Sequence, residues 1–78
     1  VQVTLLVYGH SREYFPGGAE RHVLQLPGPL SIDEILRKHL GVDPSLVMAV
    51  MTGGRRYSRE YVPQDGEEVV LLSPASGG

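Results

Sequence analysis

Asp65-Gly66-Glu67-Glu68-Val69-Val70-Leu71-Leu72-Ser73-Pro74-Ala75-Ser76-Gly77-Gly78 is the stretch whose reading decides the fold. With Pro63-Gln64 before it, Asp65-Gly66 makes a tight turn, because an Asp side chain bonds nearby backbone and Gly tolerates the left-handed region. Residues 67–72 then read as a strand. From Val69 onward both parities are apolar, so neither face suits water, and such a strand belongs in the middle of a sheet. After Leu72 the side chains shrink. Pro74 stiffens the exit, and Ala75, Ser76, Gly77 and Gly78 could thread a narrow channel, since Gly has no Cβ to collide with its walls. Fully extended, the residues from Ser73 onward reach roughly 20 Å. Small polar residues also gather at frayed ends, so Gly77-Gly78 alone does not separate a working end from a loose one. The expected organisation is a domain over residues 1–72 and a flexible C-terminal tail over 73–78.

Outward from that strand, the remaining elements follow from periodicity and punctuation. Residues 1–9 alternate as a strand, with Val1, Val3, Leu5 and Val7 on one face and Gln2, Thr4, Leu6 and Tyr8 on the other. Residues 10–18 end in Phe15-Pro16-Gly17-Gly18 and read as a loop. A second strand spans 20–26 and stops at Pro27-Gly28-Pro29. Leu30-Ser31-Ile32-Asp33-Glu34-Ile35 is a helix start: Ser31 is the cap, Glu34 completes a capping box, and Leu30 and Ile35 have staple spacing. Asp33 and Glu34 suit the positive end of the helix dipole. Ile32, Ile35, Leu36 and Leu40 form the apolar stripe of about three turns, and Gly41 fits the left-handed stop. Residues 47–51 are a short apolar strand, Thr52-Gly53-Gly54 turns the chain, and the polar residues 55–62 have room for an edge strand. The order β, β, α, β, (β), β predicts an α+β fold, with a mixed sheet of four to five strands and one main helix packed on one face. The first and last strands carry the most continuous apolar character and are placed side by side at the centre. That arrangement is the ubiquitin-like β-grasp.

Composition bounds the rest. A chain of 78 residues makes one small domain with a modest core. Its net charge of −2 gives no electrostatic case for nucleic acid or an anionic membrane. No apolar run is long enough to span a bilayer, and Val1-Gln2-Val3-Thr4 lacks the basic-then-apolar pattern of a signal peptide. There is no cysteine, which excludes disulfides, thiolate metal sites and a thiol nucleophile within the chain. The expected location is the cytoplasm. His10, His22 and His39 lack metal-ligand spacing, so no metal is expected. Ser11, Ser58 and Ser73 lack a nucleophile-elbow context, and neither Gly17-Gly18 nor Gly53-Gly54 has a phosphate-loop lysine.

The chain resembles the small subunit of molybdopterin synthase. The resemblance rests on Tyr8-Gly9 ending the first strand, Arg12-Glu13, Leu26-Pro27, the capped Ser31-Ile32-Asp33-Glu34-Ile35-Leu36, and above all the run from Asp65 to Ser76-Gly77-Gly78. The thiamine-pathway sulfur carriers share the fold and the Gly-Gly end. What the resemblance implies is a sulfur carrier, acting as co-substrate and subunit rather than as an autonomous enzyme. A ubiquitin-activating-type adenylating enzyme would use ATP and Mg²⁺ to activate the Gly78 carboxylate. A persulfide donor would then leave a thiocarboxylate there, and a sulfur-accepting synthase, the large subunit of molybdopterin synthase above all, would take the sulfur. No tightly bound cofactor is implied. Gly78 is then the reactive residue, and Gly77, Ser76, Ala75 and Pro74 are the residues a partner channel encloses.

Leu6, Tyr8 and Leu72 are candidates for an apolar docking patch beside the tail's exit. Burial under a loop explains them equally well. Arg55, Arg56 and Arg59 read first as a solvated loop, with an acidic partner surface or the pterin phosphate as the less favoured use. Lys38 reads as a solvated helix residue. A carrier for thiazole synthesis or tRNA thiolation stays open within the same class, and two readings from other classes stay open beside it: a ubiquitin-like protein modifier joined through Gly78, and a noncovalent β-grasp module whose Gly-Gly does nothing.

Overall fold

Alternation of Val3, Leu5 and Val7 with Gln2, Thr4 and Leu6 produces strand β1, Gln2–Val7, in the computed structural model, which describes residues 1–73. Pro74, Ala75, Ser76, Gly77 and Gly78 lie outside the described residues. The strand is shorter than the expected 1–9 because Gly9, at φ +77°, turns the chain out of extended geometry. The expected loop holds two short 3-10 turns, Gly9–Tyr14 and Pro16–Gly18. Between them Phe15 drops into the core at 3% exposure. Strand β2, Arg21–Gln25, follows.

The helix starts as its capping box dictates. The Glu34 N–H donates to Ser31 Oγ at 3.2 Å, and the Ser31 N–H donates to Glu34 Oε1 at 3.3 Å. The two earlier free donors are satisfied from a distant segment: the Ile32 N–H donates to the Tyr61 carbonyl and the Asp33 N–H to that of Arg59, each at 2.9 Å. Helix α1 covers residues 32–40, with α geometry over Ile32–Ile35 and a wider π turn over Leu36–Leu40. It is therefore a little short of the three turns expected. Gly41 ends it in the left-handed conformation (φ 65°, ψ 30°), and its N–H reaches back to the Leu36 carbonyl. A 3-10 turn, Pro44–Leu46, capped by the Asp43 carboxylate on the Ser45 N–H, delays the next strand. Strand β3 is Ala49–Thr52 rather than 47–51. Gly53 and Gly54, both with positive φ, form the two-residue hairpin loop to β4, Arg55–Tyr57. Strand β5 is Glu67–Leu72, as the sequence predicts.

The five strands lie in the order β2-β1-β5-β3-β4. β5 is central, parallel to β1 and antiparallel to β3. Val3, Leu5, Val7, Val50, Val69 and Leu71 of the sheet meet Ile32, Ile35 and Leu36 of α1, each at most 2% exposed. Fully burying a side chain of this size contributes roughly 1.5–3 kcal/mol, and this one-sided core is what holds a cysteine-free domain together. Leu40, the fourth residue of the predicted stripe, is half-buried against it.

Candidate functional site

The C-terminal end of β5 is set by its register. Leu5, Leu6 and Val7 lie beside Val69, Val70 and Leu71. On the other side Met51, Val50 and Ala49 lie opposite Val70, Leu71 and Leu72. Side chains alternate across a strand, so Val69 and Leu71 enter the core. Val70 and Leu72, with Leu6 and Met51, fall on the opposite face, and none of these four belongs to the core cluster. The last described tie of the strand is the Met48 N–H donating to the Leu72 carbonyl at 2.8 Å. β5 is thus flanked by β1 up to Leu71 and by β3 up to Leu72.

Of the predicted patch, Leu6 and Leu72 are half-buried and Tyr8 is 54% exposed. The β1–β5 register ends at Val7 and Leu71, but Tyr8, next in the chain, keeps extended backbone (φ −114°, ψ 156°), so alternation puts it on the face of Leu6 at the end of the sheet where Leu72 lies. The structure therefore brings all three to one face at one end of the sheet. Val70 and Met51 extend the apolar surface, and the sequence pattern did not single them out. The signal was present in the apolar run of β5, but only the register shows which residue of β3 and β1 stands next to Val70. A surface ion pair, Arg21 to Glu68 at 3.4 Å, borders the patch. Both side chains are more than half exposed, so it adds little stability. The five residues 74–78 named as the channel-threading segment lie outside the described residues.

At its opposite end β5 is tied by polar contacts. Glu67 accepts from the Gln64 N–H at 2.8 Å, from the Tyr61 hydroxyl at 2.6 Å, and from the Thr52 hydroxyl. Partial burial pushes the Glu67 pKa up, but the three hydrogen bonds outweigh it and hold the carboxyl below its ordinary value. The same contact, with lesser help from burial and the charge on Glu67, pushes Tyr61 up to about 12. The Tyr61 ring stacks on Tyr57, centroids 4.4 Å apart. Next to this knot, the Asp65 carboxylate accepts from the Gln2 N–H at 2.7 Å, and the Gly66 N–H donates to the Gln2 carbonyl at 2.6 Å. The Asp-Gly turn therefore fixes the start of β5 to the start of β1.

The three arginines do not act as one cluster. Arg55 and Arg56 are exposed on edge strand β4, whereas Arg59 turns inward and donates to the Pro44 carbonyl. The groove beside the start of α1 is lined by Ser31, Asp33, Glu34, Arg37 and Arg59 among others. It mixes both signs of charge, and the donors of the helix start already have protein partners. His22 lies against Phe15, with its Nε2 2.9 Å from the Ala19 carbonyl. Among the described residues, no group of three His, Asp or Glu side chains converges as a metal site. Lys38 pairs with Glu34 along the helix at 3.3 Å, an exposed i,i+4 contact.

Among solved structures, SAMP1 from Haloferax volcanii superposes with a TM-score of 0.69 over 100% of both chains, at 18% identity. The fold is the ubiquitin-like β-grasp. No family model matches the chain, and no curated protein does. The likeness to SAMP1 at this identity concerns the path of the β-grasp backbone, with β5 central in the sheet. No helix among the described residues is long and apolar enough to cross a membrane.

Proposed function

We propose that this β-grasp chain is a sulfur carrier whose reactive group is the carboxylate of Gly78. The observation that carries the reading is the placement of β5. It is central, fixed by polar contacts at its start, and flanked by β1 to Leu71 and by β3 to Leu72 at its end, beside an apolar face; Pro74 and Gly77-Gly78 follow in the sequence. A carboxylate resists nucleophiles because its charge and resonance oppose attack. Reaction with ATP, on an adenylating partner that supplies the Mg²⁺, would give an acyl adenylate and release pyrophosphate. The terminal sulfur of a partner persulfide would attack the Gly78 carbonyl carbon, expelling AMP and forming an acyl disulfide. A thiol of the donor would then cleave the sulfur–sulfur bond, becoming a disulfide itself and freeing the thiocarboxylate. With no cysteine of its own, the chain relies on partners for every sulfur and every thiol in this sequence.

In this scheme the chain's own residues position and dock. Leu6, Tyr8, Val70 and Leu72 offer the apolar surface against which the adenylating enzyme and the accepting synthase seat. Pro74, Ala75, Ser76 and Gly77 give a stem slender enough for a channel. The accepting synthase we favour is the large subunit of molybdopterin synthase, on the strength of the Asp65-Gly66 turn and the Ser76-Gly77-Gly78 ending. Thiazole synthesis and tRNA thiolation would use the same activated end.

The test is affinity purification of the chain from its native cells followed by intact-mass measurement. A carrier shows a fraction heavier by the exchange of one oxygen for sulfur, located in the C-terminal peptide, and co-purifies an adenylating enzyme. Isopeptide adducts on other proteins without that fraction would replace the carrier reading with the modifier reading. Full function after deletion of Gly77 and Gly78 would remove both.

A further inference from the structure

The two edges of the sheet differ. β4 has three residues, with arginines at two of them. β2 has five, Arg21-His22-Val23-Leu24-Gln25, with one arginine at its first position and neither lysine nor proline. Natural edge strands are commonly guarded by such residues, because their outward N–H and C=O groups would otherwise pair with another strand.

Which groups face outward follows from the β1–β2 ladder. The Leu26 N–H donates to the Val1 carbonyl and the Val7 N–H to that of Glu20, both at 2.7 Å. In an antiparallel ladder hydrogen-bonded pairs alternate. Glu20, His22, Leu24 and Leu26 therefore face β1, and the backbone groups of Arg21, Val23 and Gln25 face away from it. Among the described residues no backbone partner is found for these three on the outer side. Their side chains do not shield them. The Arg21 guanidinium leans inward to Glu68, and Gln25 Nε2 donates inward to Gln2 Oε1 at 2.9 Å. Between them Val23 stands 51% exposed.

We propose that β2 is a strand-pairing edge for a second copy of this chain, joined antiparallel about a two-fold axis at Val23. The sequence suits this register. Val23 meets Val23 of the other copy, Arg21 meets Gln25, and His22 meets Leu24, so no two cations oppose each other. The pairs 21–25, 23–23 and 25–21 are all outward-facing, and each exchanges two hydrogen bonds, leaving no edge group unpaired. The result is a continuous ten-stranded sheet. β5 lies two strands from the junction, roughly 10 Å at ordinary strand spacing, so pairing leaves the end of β5 accessible and does not depend on the carrier reading. A five-residue strand contact buries less than a standard stable interface, so the dimer is a reversible, concentration-dependent one.

Sedimentation equilibrium and concentration-dependent amide exchange on the full chain test it together. The expected result is a weight-average mass rising from one toward two chains, with protection growing at Arg21, Val23 and Gln25 and constant at His22 and Leu24. Val23→Pro removes only an outward N–H, and Val23→Lys guards the edge without touching the backbone. Both should hold the chain monomeric, with circular dichroism unchanged. A wild-type chain that stays monomeric throughout overturns the assignment. So does association that survives both substitutions, which would place the contact elsewhere, or protection of the three amides only when an extended peptide from another protein is added.

Discussion

The two ends of β5 are built from opposite materials. At Glu67 the strand begins in a polar knot: a carboxylate holding the Gln64 amide and two hydroxyls, beside an Asp-Gly turn bonded to Gln2. At Leu72 it ends among Leu6, Tyr8, Val70 and Met51, half-buried or exposed, with backbone pairing as its main constraint. Directional hydrogen bonds at one end set where the strand starts, and because the strand is short and central, they set where it finishes. The other end is then free to carry surface that serves something outside the chain. Polar ties are concentrated at the first end and, in the proposed carrier, function at the second.

That division can be broken by mutation. The largest effect is expected from deleting Gly77-Gly78 or from Gly78→Ala. Either should abolish thiocarboxylate formation in intact-mass assays while leaving the thermal midpoint where it was. Sulfur loading at the normal rate would show that the end of the chain is not what the channel selects. Next comes Glu67→Ala, which leaves the Gln64 N–H, the Thr52 hydroxyl and the Tyr61 hydroxyl without their acceptor. It should cost about 1–3 kcal/mol in denaturant unfolding, with sulfur acceptance retained once partner is saturating. If loading fell while stability held, the knot would belong to function as well.

At the apolar end the expectation reverses. Tyr8→Ala and Leu6→Asp should each weaken binding to the adenylating partner by on the order of tenfold, about 1.4 kcal/mol. For Tyr8→Ala, unfolding should change by no more than about 0.5 kcal/mol, the usual range for surface positions. Unchanged affinity in both variants would leave the patch as ordinary sheet surface. The smallest effect is in pH. Glu67, Glu34 and Asp43 have pKa values below their ordinary ones, Glu34 through the Ser31 N–H and Lys38, Asp43 through Ser45. Their folded forms bind fewer protons than the unfolded chain, so the stability they add is present above the ordinary carboxylate pKa and is lost as pH falls through the lowered values. Tyr61 works the other way. Raised from 10.0 to about 12, it adds stability that is full below pH 10 and is lost as pH rises toward 12. A stability–pH curve should show the acid fall from the carboxylates, and Tyr61→Phe should remove the alkaline fall.

Much of this was legible in the sequence. The capping box at Ser31 and Glu34, the Gly41 stop, the bounds of β5 and its central place follow from local chemistry and apolar continuity, and the structure has them. The elements that shifted did so for reasons that a linear pattern carries weakly. β1 stops before Tyr8 because Gly9 takes positive φ, and β3 starts late because Asp43 caps a turn that reads as a plain connector. The site was half legible. Leu6, Tyr8 and Leu72 share a face, as parity suggests, but Val70, Met51 and the knot at Glu67 depend on which strands lie side by side. Tyr61 and Thr52 are separated from Glu67 by turns whose geometry is not written in periodicity. Arg59 looked like one of three surface cations and instead donates to the Pro44 carbonyl.

The most direct measurement is the mass of the C-terminal peptide after the chain is incubated with an adenylating enzyme, ATP, Mg²⁺ and a persulfide donor. A sulfur carrier should show an ATP-dependent gain equal to one sulfur replacing one oxygen at Gly78, absent from the Gly78→Ala variant. A C-terminal peptide of unchanged mass, with the partner shown to be active on another carrier, would contradict the carrier mechanism.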